Sequence, residues 1–325
     1  MRKLCVVAAA LTILTGCSAG RPTAGAVPTT PTRPVPTTVL TTTTTSTTVA
    51  PATTTTTVAP VGPPYRVASM TVAIVDASRP TVSHGRTISS TRALSTVVWY
   101  PRASGRHPLV VFGPGYDVGP LTYETLLTSW AAHGYVVAAI KFPLADPAVA
   151  GSNLDEYDIN NQPQDMRFVA DFLVGRSSPV AALVDSREVA AAGHSDGAET
   201  AVAAVEDPVP AGQPPFRALV AMSAQSVPGR DGPYPPMLVT QGDADDINPP
   251  SLGYQLYNSA RPPKYMLLLR GGGHLPPVQG GSPWLPGIEV VTETFLDTYL
   301  SGSAPPSRIV SAASGYRNMS LQSST

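Results

Sequence analysis

Gly193-His194-Ser195-Asp196-Gly197 constrains this chain more than any other stretch, because of what surrounds it. Val189-Ala190-Ala191-Ala192 precedes it and Ala198-Glu199-Thr200-Ala201-Val202 follows. A short apolar run bounded by Gly reads as a buried strand, and the Ala-rich stretch behind it reads as a helix. Strand, sharp turn and helix around G-x-S-x-G form a nucleophile elbow, which holds the serine hydroxyl out at the end of a sheet. Gly193 and Gly197 have a steric role there, since a side chain at either position would collide with neighbouring backbone.

A serine hydroxyl is a poor nucleophile at neutral pH. It needs a base, and the base needs an orienting carboxylate. In a strand-elbow-helix arrangement the partners follow in the order Ser, acid, His. The chain holds five histidines, and His274 is the one downstream of Ser195. It stands in Gly271-Gly272-Gly273-His274, directly after the apolar run Tyr265-Met266-Leu267-Leu268-Leu269. The acid belongs between them, after the strand Met237-Leu238-Val239-Thr240-Gln241, where Asp243, Asp245 and Asp246 compete. Spacing favours Asp245, with Asp243 next; the others then serve as turn-forming and capping residues. Backbone N–H groups must hold the oxyanion. Asp196, the residue after the nucleophile, supplies one. Tyr116, in Gly113-Pro114-Gly115-Tyr116 after the strand at 109–112, supplies the other.

Pro114-Gly115-Tyr116, the elbow, Asp245-Asp246-Ile247-Asn248-Pro249 and Gly273-His274 together resemble the α/β-hydrolase superfamily. The branch they resemble contains bacterial polyester hydrolases, cutinase-like lipases, chlorophyllase-like and platelet-activating-factor-acetylhydrolase-like enzymes. Resemblance extends over about residues 66–302. It implies a mostly parallel sheet of about eight strands, ester cleavage by a Ser-His-Asp triad and no cofactor. Three departures argue against a polyester substrate and leave ester hydrolysis intact. Asp196 stands where those enzymes carry Met, no Trp occurs in Ser223-Ala224-Gln225-Ser226, and the domain has no cysteine. An amidase or peptidase on the same triad, and a catalytically silent envelope protein, are the alternative readings.

The pattern along the domain agrees with an α/β sheet. Apolar stretches at 67–75, 93–100, 109–112, 135–140, 189–192, 218–222, 237–240 and 265–269 alternate with helical spacing. Continuous apolar strands imply a sheet covered on both faces, with the catalytic loops at the strands' carboxyl ends. The irregular stretch 144–162 is a candidate specificity loop, and Trp284 a candidate for the cleft. Residues 303–325 show no periodicity and read as a disordered tail.

Ahead of the domain, Met1-Arg2-Lys3 and the apolar run at 4–14 form a secretory signal, too short to span a membrane. It ends in Leu14-Thr15-Gly16-Cys17, which resembles the bacterial lipobox and implies signal cleavage after residue 16 and lipidation of Cys17. Residues 17–64 are a Thr/Pro-rich segment unable to bury apolar surface, hence a disordered tether. The expectation is an extracytoplasmic lipoprotein whose catalytic domain covers 65–302. A net charge of −1 with 13% charged residues leaves no basic footprint for nucleic acid. Metal-ligand spacing, a P-loop and a helix-opening G-x-G-x-x-G are all missing from the sequence.

Overall fold

A computed structural model describes residues 64–225 and 234–325. The signal, the lipobox cysteine and the tether through residue 63 lie outside the described residues, as does Ser226.

Among the described residues nine strands form the main sheet: β1 (Val67–Val72), β2 (Thr96–Pro101), β3 (His107–Gly113), β4 (Val136–Ile140), β5 (Val184–His194), β6 (Ala218–Met222), β7 (Met237–Gly242), β8 (Lys264–Leu269) and β9 (Met319–Ser324). Their spatial order is β1-β2-β4-β3-β5-β6-β7-β8-β9. Pairing is parallel from β4 through β8 and antiparallel at both margins, β1 on β2, β2 on β4 and β9 on β8. Two small ribbons, Val75–Asp76 with Arg92–Ala93 and Thr81–Ser83 with Arg86–Ser89, occupy the link between β1 and β2.

Alternation along each strand sends side chains to two separate cores. Leu109 and Val111 of β3 face one layer, while Val110 and Phe112 face the other. Helices α2 (Gln162–Val174), α3 (Asp196–Glu206) and α4 (Pro250–Ser259) cover the first face with Met166, Val169, Ala201, Val202 and Leu256. The second lies under α1 (Glu124–His133) and α5 (Leu285–Leu296), through Leu126, Trp130, Ile288 and Phe295. Burial on both faces is why these strands read as unbroken apolar runs.

The end of the domain corrects the expectation of a disordered tail over 303–325, while the mostly parallel sheet itself is the one expected. Ser307–Ser314 forms α6, and Met319–Ser324 pairs along the whole of β8 as the ninth strand. Ile309, Ala313 and Met319 join the second core. The stretch is Ser-rich with its large apolar residues few and scattered, so its periodicity is faint. Its order comes from the free edge of β8 and the apolar surface of α5, which are tertiary features.

Candidate active site

Strand β5 runs straight into α3 through Ser195, whose φ of 56° and ψ of −128° place it in the strained turn of an elbow. A Cβ on Gly193 would overlap the Gly197 carbonyl, and one on Gly197 would overlap the Gly113 carbonyl. The glycines therefore let β5, α3 and the loop after β3 come together, as the spacing required.

The structure brings the three sequence-selected side chains into one chain of hydrogen bonds. Ser195 Oγ and His274 Nε2 are 2.9 Å apart. His274 Nδ1 lies 2.9 Å from Asp245 Oδ2 and 3.1 Å from Oδ1. Asp245 is 4% exposed and held from three directions. Its Oδ1 accepts the N–H groups of Ile247 and Asn248, and its Oδ2 accepts Gln241 Nε2 at 3.0 Å. Those donors fix its plane towards the imidazole. Asp243 acts elsewhere in the loop. Its Oδ1 accepts the Gly271 N–H at 2.6 Å and ties the β7 loop to the histidine loop.

Gln241 and Asn248 escaped sequence analysis as supports of the site. Gln241 sits at the end of a buried strand, and Asn248 Nδ2 donates to the Ser223 carbonyl at 2.7 Å. A buried Gln beside an acid loop was the available signal. Tyr123, buried in the helix-opening turn after the Pro-Gly loop, was likewise missed.

A cavity of about 270 Å³ opens over Ser195. Gly115, Tyr116, Val118, Ile247, His274 and Leu275 line it, together with Glu156 and Asp196. Glu156 comes from the irregular 144–162 stretch, so that loop does reach the site. Its neighbour Asp158 is structural, forming a two-pronged ion pair with the buried Arg92. Trp284 is not among the lining residues; its Nε1 donates to the Arg270 carbonyl at 3.0 Å as α5 begins.

The site is acidic. Burial first, then the Glu156 charge, raises the Asp196 pKa to about 6 despite the nearby His274. Burial, followed by Asp196 and Glu156, raises Glu199 to about 7, and one Glu199 oxygen is buried without a partner among the described residues. The Gly115 N–H is taken by Tyr123 Oη, and the next residue in the loop, Tyr116, lines the cavity.

Strand order, elbow and site at the carboxyl end of the sheet define an α/β-hydrolase. Within that superfamily, residues 65–241, more than half of the chain, match the protein-family model named Chlorophyllase, and the chain belongs to the chlorophyllase family. The matched segment contains Tyr116 and Ser195 and ends before Asp245 and His274. A search of curated proteins found no match. Membership makes the protein a hydrolase of the α/β-hydrolase type and supports esters as its substrates.

Proposed function

We propose that the protein is a serine hydrolase that cleaves carboxylic esters through an acyl-enzyme. The observation that carries this reading is the continuous Ser195 Oγ–His274–Asp245 contact at the floor of the cavity. Ser195 Oγ attacks the ester carbonyl while its proton passes to His274 Nε2. Asp245 stabilises the imidazolium at Nδ1. The backbone N–H groups of Tyr116 and Asp196 receive the charge on the tetrahedral oxygen. Collapse expels the alcohol, which takes the proton from Nε2. Water then attacks the acyl group, giving up its proton to His274 Nε2, and collapse of the second tetrahedral species returns that proton to Ser195 Oγ as the acid leaves. Apolar Val118, Ile247 and Leu275 accommodate a modest acyl or alcohol group, and the acidic rim disfavours esters bearing a carboxylate.

Labelling by a fluorophosphonate probe, lost in Ser195→Ala, tests the nucleophile. Turnover of p-nitrophenyl esters of increasing chain length, set against p-nitroanilides, tests ester over amide chemistry. Full ester turnover by folded Ser195→Ala protein would sink the mechanism.

The N-terminal pattern adds a location. In this reading Cys17 becomes the lipidated first residue of an envelope protein, with the Thr/Pro segment as tether. Cys17→Ser then releases active enzyme from the membrane fraction. An unmodified chain starting well past Cys17 in the medium would mean conventional secretion.

A further inference from the structure

His194 is 1% exposed and bonded at both ring nitrogens, yet has no part in the proton transfer just described. Its Nε2 lies 3.1 Å from the main-chain oxygen of His274. A carbonyl oxygen only accepts, so Nε2 carries the proton. The neutral ring then offers Nδ1 as an acceptor, and Tyr123 Oη, 3.0 Å away, is its donor. Tyr123 Oη itself accepts the Gly115 N–H at 3.2 Å. Donor and acceptor roles thus have one consistent direction from the Pro-Gly loop to the histidine loop. Each end matters to the chemistry. Gly115 immediately precedes Tyr116, and the His274 carbonyl belongs to the residue whose ring serves as base.

The packing around this chain is tight. The ring centroids of Tyr123 and His194 are 5.5 Å apart, and those of His194 and His274 are 4.8 Å apart. A Cβ on Gly115 would sit 3.2 Å from Ser195 Cβ and 3.4 Å from Tyr123 Oη. Burial, and next the neighbouring His274, push the His194 pKa down to about 4, and burial pushes the Tyr123 phenol up. Both groups therefore stay neutral over the range in which an esterase is assayed.

We propose that Tyr123 and His194 are a positioning pair, clamping the oxyanion loop to the histidine loop so that the Tyr116 amide and the His274 ring hold their places about Ser195. This rests on the triad reading above. The elbow histidine is then neither a spare base nor filler, but the bridge by which two separate loops share one geometry.

Nitrogen-15 NMR of histidine-labelled wild-type protein is the direct test. His194 should show the Nε2–H tautomer without titrating between about pH 5.5 and 8; the Nδ1–H tautomer, or protonation near neutrality, overturns the pair. Kinetics with one p-nitrophenyl ester supply the second test. Tyr123→Phe keeps the ring but leaves the Gly115 N–H and His194 Nδ1 without partners. Its kcat should fall about 10- to 100-fold with KM little changed, the loss that follows from stranding buried polar groups near the reacting atoms. His194→Gln, which retains an N–H to offer the His274 carbonyl, should recover part of the activity that His194→Leu loses. Wild-type kcat in folded Tyr123→Phe, or no difference between Gln and Leu at 194, refutes the positioning role. Ser195→Ala, run alongside, separates the two ideas. If its turnover persists, the triad reading fails; if turnover vanishes while Tyr123→Phe is unaffected, only the positioning pair fails. Should a variant not fold, the wild-type NMR result decides.

Discussion

Ile309→Ala probes the part of the domain least visible in the sequence. Helix α6 is eight residues long, and Ile309 and Ala313 are its buried members. Ile309 is 0% exposed, whereas its neighbour Val310 is 49% exposed. Shortening a buried Ile to Ala costs about 2–5 kcal/mol through lost apolar burial and the cavity left behind. With so few anchors, α6 can undock rather than preserve a full cavity, which places the expected cost near the lower end, about 2–3 kcal/mol. For a domain of this size each kcal/mol lowers Tm by about 2–4 °C, so a fall of roughly 5–10 °C is expected. Val310→Ala, on the solvent side of the same turn, should stay within about 0.5 kcal/mol. Thermal melts of both variants, with urea midpoints as a second measure, make the comparison. Hydrogen exchange should also show protected amides in β9, which α6 delivers to the sheet edge. Equal Tm values for wild type and Ile309→Ala, with free exchange throughout 307–324, would refute the docked end of the domain.

Asp245→Asn should lower kcat by about 10³- to 10⁴-fold, because the amide favours the wrong imidazole tautomer, whereas Asp243→Asn, which only weakens a loop contact, should cost less than about 10-fold; the reverse ranking in an ester assay would assign the acid to Asp243. Asp196→Asn should stabilise the protein by about 1–2 kcal/mol at pH 8, allowing for screening, and by little at pH 4. The sign follows from a folded pKa near 6, above the ordinary 3.8: the protonated acid is tolerated, and stability is lost as pH rises between those values. Urea titrations at the two pH values check it. Burial alone would lower the His133 pKa, but its bonds to Asp297 and Glu293 outweigh that and raise it to about 10. Its stabilisation is therefore complete below about pH 6.5 and lost as pH rises through 10. His133→Ala should cost about 1–3 kcal/mol at pH 6 and much less above pH 10, as read from Tm at each pH.

By itself the sequence determined those features whose physics is local. Gly193 and Gly197 flanking Ser195 between an apolar and an Ala-rich run left little but an elbow, since only glycine allows the backbone approach seen there. Strand-length apolar runs separated by helical spacing determined a doubly covered sheet. Chain order and scarcity then singled out His274, and loop spacing favoured Asp245 over Asp243, the residues that the fold brings within hydrogen-bonding distance. Tertiary structure decided whatever depends on groups distant in sequence. Gln241 and Asn248 brace Asp245 only because a strand end and a loop meet. Glu156 reaches the cavity, and Trp284 does not, because of how their segments pack. The Tyr123–His194 bridge joins residues 71 apart and has no periodic signature. The ordered end, expected as a tail, exists because β8 and α5 present an open hydrogen-bonding edge and an apolar surface. A few scattered residues such as Ile309 and Met319 suffice to occupy them. Local patterns report what a segment must bury, and only the assembled sheet supplies the surface against which it is buried.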